Sequence, residues 1–241
     1  MSDPSNEPDI ATLTELLQRG VETAFPRILS LAQSGHDAAQ LLLAQMYIEG
    51  KGVEADPESA MHWYAVAASH GNAMAMNMAG RCHELGTGTT ANMELAAVWY
   101  RQAAEAKLDW GMYNYANMLA TGRGVKQDPS KALELYTQAA HMGHAKSMNL
   151  LARHLEEGWE VPSDPEAALY WYKKSAESGD FRGQASYASI LMHAGAVDEA
   201  SRWLRLALSQ GSASFMSHII PVLASSPHDQ IRALAAEYAS A

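Results

Sequence analysis

Between residues 36 and 71 the apolar positions fall into two helical runs separated by a glycine-rich break. Ala39, Leu43, Ala44 and Tyr47 share one face of a helix when laid out at 3.6 residues per turn. GKGV at 50–53 interrupts that period with two glycines. Asp56 and Pro57 then open a second helix. Asp56 suits the N-cap, and Pro57 suits the first turn, where its missing N–H costs nothing. Ala60, Tyr64, Ala67 and Ala68 form the buried stripe of that helix, and Gly71 ends it in a left-handed turn.

The same two-helix unit recurs. Trp63-Tyr64, Trp99-Tyr100, Leu135-Tyr136 and Trp171-Tyr172 stand 36 residues apart. Ala67-Ala68, Ala103-Ala104 and Ala139-Ala140 keep that spacing, with Ser175-Ala176 the near match. So do Gly35, Gly71, Gly143 and Gly179, a series whose missing member is Lys107. A further glycine column runs Gly50, Gly86, Gly122, Gly158. Starts like Asp56-Pro57 reappear at Asp128-Pro129 and Asp164-Pro165, and in weaker form at Asn92-Met93.

The string A-x-x-x-L-A-x-x-Y-x-x-G-x-G-V-x-x-D from Ala39 to Asp56, followed by A-x-x-W-Y-x-x-A-A from Ala60 to Ala68, resembles the Sel1-like repeat family, a relative of the tetratricopeptide repeats. The resemblance implies an all-α fold, an α-α solenoid of paired antiparallel helices wound into a right-handed superhelix. About five repeats are expected over 36–211, at 36–71, 72–107, 108–143, 144–179 and 180–211, the last with a shortened loop. Residues 10–35 and 212–241 read as helical caps, which a solenoid needs to cover its stacking faces. Pro221 and SSPHD punctuate the two helices of the second cap, and residues 1–9 read as a disordered tail.

Charge narrows the partners. The 241 residues are 48% apolar and carry a formal net charge of −10, which argues against nonspecific nucleic-acid or anionic-membrane binding. Cys82 is the single cysteine, so no disulfide forms within the chain. MSDPSNEPDIATL has neither a basic nor an apolar signal segment, and no apolar run approaches a membrane span. A cytoplasmic and, from the resemblance, bacterial protein is expected.

Candidate chemistry is sparse. GKG and GTG lack the Gly-Lys-Ser/Thr end of a phosphate loop. His141 and His144 are close in sequence, but no third ligand accompanies them, and His36 and His144 hold equivalent repeat positions that suit a helix start. Cys82 falls in a mostly apolar column with Met46, Met118, His154 and Ile190, which reads as a packed thiol. No nucleophile, base and orienting group stand together. No cofactor, metal or catalysis is expected. Some secreted members of the family carry a disulfide in each repeat and have been credited with hydrolase activity; this chain lacks those cysteines.

In the related tetratricopeptide arrays the first helices line a concave groove. Placing Leu43, Ala44 and Tyr47 inward turns five columns toward it. The first is Ala38, Met74, Trp110, Lys146, Arg182; the second is Leu41, Asn77, Tyr113, Asn149, Ala185; the third is Gln45, Arg81, Asn117, Arg153, Ser189. These three hold four cations and no carboxylate, with Asn77, Asn117 and Asn149 able to bond a peptide backbone and Trp110 and Tyr113 able to anchor it. The remaining two columns carry Glu49, Glu84, Glu156 and Glu157, an acidic side to the same groove. Five helices about 10 Å apart give a groove of about 40 Å, room for about a dozen extended residues. The expected function is a noncatalytic adaptor, scaffold or regulator binding a protein or peptide segment with acidic groups. The alternatives are a hydrolase-like enzyme with a groove site and a self-assembling structural protein; the oligomeric state stays open. At the break in AAEAKLDWGMYNYAN the turn is expected to be rebuilt, with Asp109 as N-cap and Gly111 leaving room beside Trp110.

Overall fold

The structure is a computed structural model and describes residues 10–18 and 20–239; the expected disordered tail, residues 1–9, lies outside the described residues. Among the described residues there are fourteen α-helices and no strand. The chain divides into two compact units, Met1–Asp128 and Pro129–Ala241. The first holds α1 (Ile10–Gln18), α2 (Val21–Gln33), α3 (Asp37–Glu49), α4 (Pro57–Ser69), α5 (Ala73–Leu85), α6 (Met93–Glu105) and α7 (Asp109–Thr121). The second holds α8 (Pro129–His141), α9 (Ala145–Glu157), α10 (Pro165–Glu177), α11 (Phe181–His193), α12 (Val197–Gln210), α13 (Ala213–Ala224) and α14 (Asp229–Ala239).

Within the first unit each helix packs on its chain neighbours, and α5 also lies beside α7. The second repeats the scheme from α8 to α12, with α9 beside α11, and ends with α13 and α14 packed together. This is the stacking of helix pairs that a solenoid repeat requires. The sequence dictates it through small residues. Ala60, Ala67, Ala75 and Ala79 are fully buried, and with so little side chain between them α4 and α5 approach closely. Tyr64 and Tyr100 fill the gaps left between pairs and are among the largest fully buried side chains.

The helix starts carry the expected chemistry. Asp56, Asn72 and Asn92 accept hydrogen bonds from the backbone N–H of Ser59, Ala75 and Leu95 at 3.1, 2.9 and 2.9 Å. Asp164 and Asp180 do the same for Ala167 and Gly183. His144 stands in for the carboxylate at the start of α9, its Nδ1 accepting from the Ser147 N–H at 3.3 Å. His36 serves differently, bonding the Leu31 carbonyl through its ring with no cap bond. Gly50, Gly86, Gly122 and Gly158 close the first helices in the left-handed conformation.

Two expectations are corrected. Pro221 does not end a helix; it lies inside α13, which runs on to Ala224. At the break before α7 the turn is not rebuilt. Lys107 itself takes the left-handed conformation, with φ 63°. Its N–H bonds the Ala104 carbonyl and the Leu108 N–H bonds the Ala103 carbonyl, the same pair of bonds made at Gly71 and Asn72. Two satisfied backbone donors outweigh a conformational cost of about 1 kcal/mol. Leu108, not Asp109, stands at the N-cap, and Asp109 is the first helical residue, its carboxylate accepting from the Trp110 N–H. Gly111 leaves no room either: a Cβ there would lie 2.6 Å from the Ala103 Cβ and 2.7 Å from its carbonyl carbon, so α7 rides directly on the backbone of α6. Lys107→Gly should therefore raise stability by about 0.5–1 kcal/mol, read as a shift in the urea midpoint; a lowered midpoint would contradict the left-handed assignment.

Candidate interaction surface

In the first unit the exposed face of α5 and α7 carries Met74, Arg81 and Trp110, with Tyr113 and Asn117 half-buried beside them. Trp110 is 39% exposed and meets Tyr113 edge-to-face at 6.2 Å, because one helical turn separates them. In the second unit Lys146 is half-buried on α9, Arg153 is exposed on α9 and Arg182 is exposed on α11.

Asn77 and Asn149 are corrections to the groove columns. They are only 5% and 9% exposed, so neither reaches a partner's backbone from the surface. The physical reason is visible at Asn77, whose Oδ1 accepts from Asn114 Nδ2 at 2.8 Å across the α5–α7 contact. At Asn77 the position faces the neighbouring first helix rather than solvent.

Two of the three arginines lie over aromatic rings. The Arg153 guanidinium lies 5.0 Å from the Trp159 ring centroid, and that of Arg182 lies 4.7 Å from Phe181. Stacking fixes the plane of a guanidinium and leaves its N–H edge open for a carboxylate. Among the described residues, Arg81, Arg153 and Arg182 are in no salt bridge. Trp159 was not in any of the sequence columns, because it sits in the turn after α9; its signal is the departure of GWEV from GKGV and GRGV.

The acidic columns are largely spent inside the repeats. Glu84 accepts from the Tyr100 hydroxyl at 2.8 Å and pairs with Arg123 at 3.2 Å. Glu156 accepts from the Tyr172 hydroxyl at 2.7 Å. Gln45 does the same for Tyr64 at 2.9 Å. Glu49 pairs with Lys51 and Gln45, and the Lys51 bond holds its carboxyl below the usual range. Burial pushes the phenols of Tyr64, Tyr100 and Tyr172 well above the ordinary tyrosine range, and the bonded carboxylates push Tyr100 and Tyr172 further. With Glu84 neutralised by Arg123, the exposed charge left on the α5 face is that of Arg81.

Other candidate chemistry resolves into packing. Cys82 is buried, and burial pushes its thiol up. His141 packs edge-on against Trp171 at 5.0 Å. Among the described residues no three His, Cys, Asp or Glu side chains gather where a metal ion would be held, and no helix is long and apolar enough to cross a membrane.

Solved structures share this architecture. A Sel1 repeat protein from Oxalobacter formigenes matches at 25% identity with a TM-score of 0.81, over 96% of this chain and 99% of that one. The protective antigen c5321 of uropathogenic Escherichia coli, described as displaying an SLR fold, matches at 27% identity and TM-score 0.74 over 95% of this chain. This chain spans about half of that antigen, 51% of its length. The immunity protein Pa5087 of Pseudomonas aeruginosa shares the fold at 17% identity and TM-score 0.55, over 86% of this chain and 80% of that one. No curated protein matches the chain. The Sel1 repeat itself matches four times, at 37–72, 73–108, 111–144 and 145–180. Since those four matches take in more than half of the residues, and since their helix pairs stack as the solved relatives do, the chain belongs to the Sel1 repeat family.

Proposed function

We propose that this chain is a noncatalytic adaptor, scaffold or regulator whose first-helix faces bind a protein segment bearing acidic groups. Sel1 repeats generally mediate protein interactions. The observation that carries the finer reading is the state of the arginines. In a chain of net charge −10, Arg81, Arg153 and Arg182 stand exposed on first helices, without internal acidic partners, and two of them are braced on aromatic rings. A braced guanidinium loses little freedom on meeting a carboxylate, so its bidentate bond adds more to affinity. Trp110 and Tyr113, on α7 next to the α5 helix that carries Arg81, supply the apolar anchor in the first unit.

Affinity capture from the source cell tests this reading. The double variant Arg81→Glu, Arg153→Glu should hold the captured partner at least about tenfold more weakly than the parent chain, as expected when charged interface contacts are reversed. Both side chains are exposed, so the thermal midpoint should stay put. Equal capture by the two chains overturns the assignment.

A further inference from the structure

The second glycine of the inter-helix turn has a structural task in the first unit. Cβ atoms built on Gly52, Gly88 and Gly124 would lie 2.4, 1.9 and 2.1 Å from the carbonyl oxygens of Val21, Pro57 and Met93. Each of those residues is the first of a second helix, α2, α4 and α6 in turn. The turn thus closes onto the start of the preceding repeat's second helix, and only a residue without a Cβ allows it.

In the second unit the residue at this position is Glu160, and the same offset falls on Pro129 at the start of α8. Glu160 keeps the left-handed backbone, with φ 59°, but it has a Cβ, which cannot sit about 2 Å from a carbonyl. The turn therefore stands off α8. Glu160 and Val161 of the turn border an open depression of about 790 Å³, walled otherwise by α8, α9 and α10. Its floor is apolar, from Leu133, Leu155, Val161 and Trp171, and its lining includes Glu134 and Glu160 but no lysine or arginine. The Trp171 indole is fixed by edge-on contacts with His141 at 5.0 Å and Tyr170 at 5.2 Å, and Tyr170 is 54% exposed. Glu134 is bridged to Lys131 and Glu160 to His154, both from outside the lining.

We propose that this depression is a docking site for a leucine or aromatic side chain flanked by lysine or arginine on a segment of a partner protein. The volume suits one or two side chains, the open form suits a segment lying across the surface, and a rigid tryptophan floor is the kind of anchor that carries binding energy. Glu160, whose ion-pair partner is a histidine, favours a positive flank, and a cation passing over Trp171 gains further from the ring face. The preference is opposite in sign to that of the arginine-bearing faces.

The test uses a phage-displayed library of random dodecapeptides panned on the full chain and counter-selected on its Glu160→Gly variant. Glycine is the residue at this position in the three preceding repeats, so that variant is expected to fold, to let the turn approach α8 and to remove one carboxylate. Acidic peptides held by the arginine faces bind both chains and are discarded. The sequences that survive should carry a leucine or aromatic residue between lysines or arginines. Synthesised, they should bind the parent chain at least about tenfold more tightly than Trp171→Ala, while Arg81→Glu leaves them unchanged. Survivors that are acidic, an absence of survivors, or survivors indifferent to Trp171→Ala would each overturn the proposal.

Discussion

Raising the pH from neutrality to about 12 should weaken both units, the first more than the second. An unfolded tyrosine ionises near pH 10. Tyr64, Tyr100 and Tyr172 are at most 4% exposed, and burial holds their phenols protonated well past that point. Their folded-state values are raised, so the stability they carry is complete below about pH 10 and is lost as the pH climbs, because the unfolded chain then binds fewer protons than the native one. Each such tyrosine costs about 1.4 kcal/mol per pH unit. At about pH 12 the loss is about 5 kcal/mol for Tyr64 and Tyr100 together and about 3 kcal/mol for Tyr172, against a whole stability of about 5–15 kcal/mol for a domain. The buried Cys82 thiol adds to the loss in the first unit. Urea unfolding followed by helical circular dichroism at neutral pH and at about pH 12 reads the loss, and Tyr64→Phe with Tyr100→Phe should shrink it in the first unit. An unchanged urea midpoint at about pH 12 would mean that the phenols are not sealed from water.

Gly88→Ala should be the most damaging single methyl in the first unit. Gly88 is left-handed, at φ 68°, and an added Cβ would lie 1.9 Å from the Pro57 carbonyl oxygen. The conformation alone costs about 1–2 kcal/mol for an L-residue. Forcing α4 away from the turn adds about 1–3 kcal/mol, as overpacking against backbone does. Gly86→Ala is the internal control. Its φ is 71°, but the nearest atom to its Cβ would be 3.4 Å away, so only the conformational cost applies. Urea unfolding should therefore show Gly88→Ala losing about 1–3 kcal/mol more than Gly86→Ala. Equal losses would remove the close approach as the reason for the second glycine, and with it the explanation of why the turn at Glu160 stands open.

The repeat, the helix starts and the alanine stripe were legible because each is written locally. Asp56 with Pro57 and Asn92 with Met93 place an N-cap within a few residues of the donor it bonds. What was not legible depends on distances between helices. The burial of Asn77 comes from Asn114 on another repeat. The carboxylates of Glu84 and Glu156 were expected to face a ligand and instead take the hydroxyls of tyrosines sixteen residues later. That offset recurs, so an acid at 84 and 156 but not at Ile48 or Ala120 was a trace of it in the chain itself. At the break at 107–111 residue types point to a rebuilt turn with Asp109 as N-cap. Two backbone bonds hold it in the left-handed form, a balance that residue type alone does not display. The exposure of Trp110 and its contact with Tyr113 follow from their spacing of one turn on a first helix.

Photo-cross-linking tests the central claim, that the first-helix faces hold the partner, most directly. A photoreactive residue replaces Met74, 37% exposed on α5 in the column of Trp110, or Val98, 38% exposed on the second helix α6. With the captured partner bound, illumination should join it to position 74 and leave position 98 free. A covalent adduct at 98 with none at 74 would contradict the account.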